Sequence, residues 1–220
     1  MASKNIGLSV ALAVYNEEKN LERCLSSVGD IADEIVVVDG GSTDGTAHIA
    51  KAAGATVIQA VNPEIFHVNK QKAIANCHRE WILQLDADEQ VSVALAQEIR
   101  RVLNMSDVQR STRQIDSRKK ILFERHQKIV EDRDGKIGGN TGIITAYFIP
   151  RLNYFLGQPI RHAGTYPDGV IRLVKNGFAH FPAKSVHEQI EIKGRVSWLE
   201  NDLWHFSNPT LKKYLTGARK

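Results

Sequence analysis

An apolar run at residues 81–85 (WILQL) ends abruptly in the acidic sequence DADE at residues 86–89, and this transition constrains the fold more than any other feature. The run predicts a buried β-strand. Because side chains on an extended backbone repeat their direction every second residue, Asp86 and Asp88 can point the same way from the strand end. Two such carboxylates suit Mg²⁺ or Mn²⁺, which binds one or two carboxylates together with substrate phosphates. The sequence therefore predicts a metal site for a phosphorylated ligand, with an ordinary surface turn as the alternative.

Two more apolar runs end in polar loops. Residues 8–14 lead into the sequence YNEE, in which Asn16 is placed to cap a helix. Residues 35–38 lead into Asp39 and a glycine-rich turn at residues 40–46. If the three runs form parallel strands, their polar ends meet at one edge of a sheet. Open α/β sheets bind their ligands at that edge.

Strand and helix patterns alternate as far as about residue 104. This alternation predicts an α/β fold with a mostly parallel central sheet and helices on both faces. Lys70 and Lys72 fall on the third expected helix, where each either reaches the phosphorylated ligand or stays an exposed surface lysine. The expected helices lie near residues 17–28, 44–53, 66–79 and 92–104.

Short strand patterns return at residues 143–150 and 169–181, and we expect them to extend the sheet. The Asn-Gly sequence at residues 176–177 is a strong signal for a tight turn. It predicts a hairpin between residues 171–174 and residues 178–181.

Residues 110–136 carry the basic character of the chain, with nine Lys or Arg against five Asp or Glu. This excess equals the net charge of +4, so the rest of the sequence is balanced. The segment is either a solvated helix or insertion, or a contact surface for an anionic acceptor or membrane through Arg118, Lys119 and Lys120. Nucleic acid is not expected, because interleaved aromatic residues are missing from the segment. The tail at residues 209–220 is either a basic amphipathic helix or the cut end of a longer chain.

Composition agrees with a globular protein. The 220 residues are 42% hydrophobic and 25% charged, enough to bury the core of one large domain. No apolar run approaches the roughly 20 residues of a membrane span, and the N-terminal residues lack a signal-peptide pattern. We expect a cytoplasmic protein, either free or peripheral on the inner face of the cytoplasmic membrane. Cys24 and Cys77 occupy apolar helical positions and are expected to be buried, reduced thiols.

Three motifs occur together in order: YNEE at residues 15–18, VDGGSTDGT at residues 38–46 and LDADE at residues 85–89. This series resembles the nucleotide-sugar half of the family 2 glycosyltransferases, which have the GT-A fold. Within that family the chain is similar to the bacterial lipopolysaccharide core β-1,4-glucosyltransferase group, in which a His-Glu pair follows a Pro-Asp and an Arg-Leu segment. Gly40 departs from the pattern, because many members have a second Asp there.

The resemblance implies one GT-A domain with a C-terminal acceptor-side extension. Its expected parts are a nucleotide-sugar-binding half at residues 1–104, a basic charged insertion at residues 105–142, and an acceptor-side half at residues 143–220.

The resemblance also implies an activity. A metal-dependent, inverting enzyme would move a sugar, with glucose from UDP-glucose favoured, to a bacterial surface-glycan or lipopolysaccharide acceptor, using Mg²⁺ or Mn²⁺. Glu188 is the expected base, with Asp168 and Glu89 as competing carboxylates. The expected catalytic residues are Glu188, Asp86 and Asp88, and the expected metal ligands are Asp88 and His205. The expected donor contacts are Tyr15, Asn16, Glu17, Asp39, Lys70 and Asp86. The acceptor-side candidates are Tyr166, Asp168, Arg172 and His187.

Three alternatives stay open on the sequence alone. A lone histidine such as His205 can serve as a hydrogen-bonded structural residue instead of a metal ligand. A sugar-nucleotide pyrophosphorylase shares related architecture, but its N-terminal glycine-rich loop with a following Arg and Pro-Lys segment is missing here. A noncatalytic nucleotide-sugar-binding protein would retain Asp39 and Asp88 but would need no base.

Overall fold

The computed structural model describes residues 6–162, 164–182 and 190–208. Its strands are β1 Leu8–Val14, β2 Glu34–Asp39, β3 Thr56–Gln59, β4 Trp81–Leu85, β5 Glu89–Val91, β6 Ile144–Phe155, β7 Gln158–Pro159, β8 Asp168–Lys175, β9 Ala179–His180, β10 Glu191–Ile192, β11 Arg195–Trp198 and β12 Leu203–Asn208. Its helices are α1 Leu21–Ser26, α2 Thr46–Ala52, α3 His67–Ala75, α4 Val93–Leu103, α5 Asp107–Thr112 and α6 Ser117–Asp134.

One sheet organises the molecule, in the strand order β3-β2-β1-β4-β8-β6-β12-β5, with β7 and β11 also paired to β6. The first four strands run parallel to one another. Strand β8 then joins β4 in the antiparallel sense, and β6 pairs with β11 and β12 in the parallel sense. The carboxyl ends of β1, β2 and β4 therefore meet at one edge, as the α/β prediction requires.

The core lies on both faces of this sheet, because alternate residues of each central strand point to opposite sides. Val10 and Leu12 of β1 belong to one apolar cluster, which also contains the buried faces of α1 and α4. Ala11, between them, belongs to a second cluster that contains residues of α3 and α6. Fully burying one large aliphatic side chain contributes about 1.5–3 kcal/mol, so a strand buried on both faces is firmly held. Cys24 and Cys77 are buried free thiols in these clusters, as predicted.

The basic segment forms α6, an 18-residue helix that packs on the second cluster. Asp116 caps its start by accepting hydrogen bonds from the backbone N–H groups of Arg118 and Lys119. On the inner face, the ring of Phe123 stacks on that of Trp198 with centroids 4.4 Å apart. None of the helices in the described ranges is both long and apolar enough to cross a membrane.

The first helix is shorter than expected. Helix α1 begins at Leu21 rather than near residue 17, and Asn20 occupies the position before it. The prediction that Asn16 caps this helix is wrong, because Asn16 has a left-handed backbone with φ of 54° and lies in the loop after β1. Its side chain instead accepts a hydrogen bond from the backbone N–H of Thr43, 2.8 Å away.

The predicted hairpin after β8 is also wrong in its pairing. The tight turn is present, with Gly177 at φ of 82° and the Phe178 N–H donating to the Lys175 carbonyl. However, β9 pairs with β10 in a separate two-stranded sheet. The physical reason is that β8 already has β4 on one side and β6 on the other, so it offers no open edge to a hairpin partner.

Candidate donor-binding site

A cavity of about 320 Å³ opens at the carboxyl ends of the parallel strands. The loop after β1, the start of α3, the segment between β4 and β5, and strand β12 all contribute to its wall. Its lining residues are Ala13, Val14, Tyr15, Glu17, Asn62, Phe66, Asn69, Lys70, Asp86, Ala87, Asp88 and His205. The structure thus brings Tyr15, Glu17, Lys70, Asp86, Asp88 and His205, all expected site residues, to one place.

Asp86 lies between two buried cations. The Lys70 ammonium is 2.6 Å from Oδ1 of Asp86, and Nη2 of Arg172 is 2.5 Å from Oδ2. Burial alone would raise the pKa of Asp86, but the charges of Arg172 and Lys70 outweigh it and lower this pKa far below its usual range. Asp86 is therefore ionised and held in one orientation at the cavity wall. Lys70 belongs to the site, whereas Lys72 is an exposed surface lysine.

Glu89 binds both Asp86 and Arg172 from the interior of the protein. Its side chain is fully buried and accepts hydrogen bonds from Arg172 and the backbone N–H of Asp86, with Arg151 3.4 Å away. The expectation that Glu89 competes as the base is wrong, because an acceptor hydroxyl cannot reach a buried carboxylate that is already paired. Arg172, expected on the acceptor side, is likewise buried beneath Asp86.

Asp88 and His205 face each other across the neighbouring strands. Strand β12 pairs with β5 so that His205 lies opposite Glu89, and the Phe206 N–H donates to the Asp88 carbonyl. These contacts place the imidazole Nε2 of His205 3.5 Å from Oδ2 of Asp88. The side chain of Asp88 is 21% exposed, and both residues line the cavity.

Asn153 orients the His205 ring. The Asn153 amide nitrogen lies 2.9 Å from Oδ2 of Asp168, which as a carboxylate can only accept, so the amide oxygen must face His205. Nδ1 of His205 lies 2.6 Å from that oxygen and therefore donates its proton to it. In the neutral imidazole, the Nε2 lone pair is then directed toward Asp88.

This pair of side chains fits a divalent cation. A carboxylate oxygen and an imidazole lone pair facing each other are ligand types that Mn²⁺ accepts. Among the residues of the described ranges, no group of three His, Cys, Asp or Glu side chains is arranged to hold a metal ion. Mg²⁺ and similar cations typically keep several waters and bind one or two carboxylates together with substrate phosphates.

The loops after β1 and β2 are tied to each other. Besides its bond to Thr43, Asn16 donates its backbone N–H to the Ser42 hydroxyl. The carboxylate of Asp39 is buried, and it accepts hydrogen bonds from the Ser42 N–H and the Gln59 amide. Asn16 and Asp39 thus shape the loops beside the cavity without lining it, and a direct contact of either with a nucleotide stays a prediction.

Among the residues expected on the acceptor side, Asp168 is paired with Arg151, whose Nη2 lies 2.6 Å away. Burial acts to raise the pKa of Asp168, but the charge of Arg151 and the hydrogen bond from Asn153 lower it overall. The hydroxyl of Tyr166 donates to Asp202 at 2.7 Å. Glu188 and His187 lie outside the described residues, so the role of Glu188 as the base stays a prediction.

Sequence reasoning missed Arg151, Asn153 and the buried position of Arg172. A signal existed for Arg172, because an arginine inside the apolar strand sequence VIRLV needs a carboxylate partner once buried. No local signal marks Asn153, since its role depends on strands that are distant in sequence.

The chain is similar in sequence to known glycosyltransferases. The model of the glycosyl transferase family 2 matches residues 9–158. An uncharacterized glycosyltransferase of Rickettsia typhi is 45% identical over 94 residues, which cover 42% of this chain and 31% of that protein. The lipopolysaccharide core biosynthesis glycosyltransferase LpsC of Rhizobium meliloti is 30% identical over 200 residues, covering 89% of this chain and 70% of LpsC.

Among solved structures, glucosyl-3-phosphoglycerate synthase from Mycobacterium tuberculosis, in complex with Mn²⁺, UDP and glucosyl-3-phosphoglycerate, is 27% identical. That match covers 40% of this chain and 36% of the synthase, with a TM-score of 0.35. The observed α/β sheet with flanking helices agrees with the expected GT-A fold class. Because the family model matches residues 9–158 and the similarity to LpsC extends over 89% of this chain, the chain belongs to glycosyl transferase family 2.

Proposed function

We propose that this chain transfers a sugar from a nucleotide-sugar donor, with UDP-glucose favoured, to a bacterial surface-glycan or lipopolysaccharide acceptor. The observation that carries the proposal is the convergence of Lys70, Asp86, Asp88 and His205 on one cavity at the carboxyl ends of the parallel strands. The similarity to LpsC, named as a lipopolysaccharide core glycosyltransferase, supports this class of acceptor.

Three acids and Lys70 line the cavity, so the positive charge that a departing nucleoside diphosphate needs would come mainly from a bound cation. A divalent cation, Mg²⁺ or Mn²⁺, held by Asp88 and His205 would supply positive charge for the diphosphate oxygens without donating a proton. Lys70 provides a second, fixed cation, since Asp86 and the ring of Phe66 hold its ammonium in place. Such a prearranged site stabilises charge that develops in the transition state.

Tyr15 and Glu17 are the remaining proposed donor contacts, because both line the cavity. Tyr15 is 44% exposed at the rim of the cavity and offers an aromatic face to the base or sugar of a nucleotide. Glu17 lines the same wall, and its backbone N–H donates to the Thr46 hydroxyl, which ties this loop to α2. Together they form the donor side of the proposed site.

An inverting transfer needs one base on the acceptor side, and we assign that role to Glu188. Asp168 is a weaker candidate, because its ion pair with Arg151 lowers its pKa and so its basicity. We place the enzyme on the cytoplasmic side of the cytoplasmic membrane, where nucleotide sugars and a lipid-linked acceptor would meet.

The test is calorimetric titration of UDP-glucose, UDP-galactose and GDP-mannose with and without Mn²⁺, followed by detection of UDP release with lipopolysaccharide acceptors. Mn²⁺-dependent binding and UDP release support the proposal. Pyrophosphate release from UTP and a sugar phosphate would indicate a pyrophosphorylase instead. Binding with no turnover, unaffected by Glu188→Gln, would indicate a noncatalytic nucleotide-sugar-binding protein.

A further inference from the structure

The outward face of α6 carries cations and aliphatic side chains together. Positions separated by three or four residues lie on one face of a helix. On α6 this spacing aligns six exposed basic and aliphatic residues, which we call the α6 stripe, and the exposed Asp132 follows them on the same face. The α6 stripe consists of Arg118, Ile121, Leu122, Arg125, Lys128 and Ile129.

The aliphatic members are unusually exposed for a helix that already has a buried face. Phe123 and Val130 pack inward, whereas Ile121 is 69% exposed, Ile129 56% and Leu122 42%. Isolated exposed apolar residues are common, but several on one face form a patch that marks an interaction site. The stripe from residue 118 to residue 129 is about 16 Å long at 1.5 Å per residue.

The stripe is also positively charged. Within residues 6–162, 164–182 and 190–208, no ion pair is found for Arg118, Arg125 or Lys128. Glu124 beside the stripe lies 3.7 Å from Lys120 rather than from a stripe cation. Three cations thus stand among three aliphatic side chains, with their charges available to a partner.

Not every basic residue of the segment takes part. The ammonium of Lys119 donates to the Glu200 carbonyl at 2.8 Å, so this side chain helps to dock α6 on the protein. Of the three contacts expected from the sequence, Arg118, Lys119 and Lys120, only Arg118 belongs to the stripe.

We propose that the α6 stripe docks on the surface of an anionic phospholipid bilayer. Its cations match anionic head groups, while Ile121, Leu122 and Ile129 can enter the boundary with the acyl chains. Nucleic acid would match the charge but has no apolar layer for the aliphatic side chains. A second copy of the chain would set one row of cations against another, which costs free energy.

Docking through this face brings the acceptor side of the site near the lipid. On the inner side of α6, Nε2 of His126 accepts a hydrogen bond from the backbone N–H of Gly169, next to Asp168. The acceptor-side edge therefore lies about one helix diameter, 10–12 Å, from the stripe. This placement suits a lipid-linked acceptor, and that part of the inference rests on the proposed function.

Vesicle cosedimentation tests the proposal, with vesicles of phosphatidylcholine alone or mixed with phosphatidylglycerol. The parent should bind only the mixed vesicles. The triple variant Arg118→Gln, Arg125→Gln, Lys128→Gln should bind them roughly a hundredfold more weakly, because each cation contributes about a fivefold factor. The triple variant Ile121→Gln, Leu122→Gln, Ile129→Gln should also bind more weakly. The matched control removes three exposed cations elsewhere: Lys51→Gln, Arg100→Gln and Arg101→Gln.

Parental binding by both stripe variants, equal losses in the control, or no binding of the parent to anionic vesicles would overturn the proposal. A parent dimer that the aliphatic variant dissociates, with vesicle binding unchanged, would reassign the stripe to self-association. Thermal unfolding of each variant verifies that the fold is intact. UDP-glucose titration without vesicles is read separately, since failure there overturns the donor site and leaves vesicle binding untouched.

Discussion

Nη2 of Arg172 lies 2.5 Å from Oδ2 of Asp86, so a guanidinium in the middle of β8 fixes a carboxylate that follows β4. The same nitrogen lies 2.7 Å from Glu89. The position of Asp86 is thus set by the core of the sheet, whereas that of Asp88 is set by the pairing of β5 with β12. The two acids of one short motif therefore depend on different parts of the fold.

Arg172→Met should destabilise the protein by about 3–5 kcal/mol, because Asp86 and Glu89 lose the buried cation that they share and keep only Lys70 and Arg151, respectively. Arg172→Lys should lose less stability than Arg172→Met, since lysine keeps the positive charge but not the forked geometry of the guanidinium. Urea unfolding measures both. The control is Arg133→Met, which breaks an ion pair with Asp134 on an exposed arginine and should cost about 1 kcal/mol or less. Equal losses for the two Met variants would contradict the anchoring role of Arg172.

Asp88→Ala should abolish Mn²⁺-dependent binding of UDP-glucose and turnover, because the proposed cation loses a ligand. Asp86→Ala should weaken metal binding less but still slow catalysis, since Asp86 is paired with Lys70 and Arg172 rather than with His205. Calorimetric titration of donor with and without Mn²⁺ distinguishes the two variants. Unchanged donor binding in Asp88→Ala would exclude the metal assignment.

Asn153→Leu should lower Mn²⁺ affinity about 10–100-fold without removing a ligand. The leucine cannot accept the proton on Nδ1 of His205, so the imidazole loses the contact that fixes its tautomer. Nitrogen NMR of the metal-free protein should show a single tautomer in the parent and a mixture in the variant. A parental tautomer in the variant would mean that another group orients the ring. The control is Asn104→Leu, which replaces an exposed asparagine directly after α4.

Glu188→Gln should slow the chemical step by roughly 10²-fold to 10⁴-fold while leaving donor affinity and melting temperature near parental values. The change keeps the size of the side chain but removes its basic carboxylate. Measuring kcat, donor affinity and melting temperature together separates a base from a structural acid. If Glu188→Gln keeps its kcat and Asp168→Asn does not, the base is Asp168.

Acid should weaken the Asp168–Arg151 pair. Because the folded-state pKa of Asp168 lies below its unfolded value of about 3.9, the ionised carboxylate stabilises the fold above that pH. This contribution, about 1 kcal/mol for a partly exposed pair, is lost as the pH falls through the folded-state pKa. Urea unfolding should show a difference between the parent and Asp168→Asn that is larger at pH 7 than at pH 3. A pH-independent difference would contradict this linkage.

The sequence predicted those parts of the fold that depend on local residue patterns. The apolar runs at β1, β2 and β4 and their polar ends indicated the parallel sheet and its binding edge, and both are present. The sequence pattern gave wrong predictions where the pairing between strands determines the structure. Strand β5 has only three residues, so its sequence carries too little periodicity to reveal a strand. The Asn-Gly turn after β8 forms, but the neighbours of β8 determine that no hairpin follows.

The site shows the same division. Asp86 and Asp88 could be named from their spacing within one motif, and His205 only from the resemblance. Arg172, Glu89 and Asn153 could not be assigned correctly, since their roles arise from contacts between strands far apart in the chain. The prediction that Asn16 caps a helix was wrong, because its side chain accepts a hydrogen bond from Thr43 in the loop after β2 rather than from the helix that follows Asn16.

The antiparallel pairing of β5 with β12 also affects when Asp88 and His205 can come together during synthesis of the chain. Asp88 emerges from the ribosome early, whereas His205 belongs to the last strand that the structure describes. The strands of the parallel half of the sheet can pair before β12 has been synthesised, but the side chains of Asp88 and His205 cannot meet until β12 has docked beside β6 and β5. A nascent or C-terminally clipped chain that ends before β12 would therefore lack one of the two side chains of the proposed cation site.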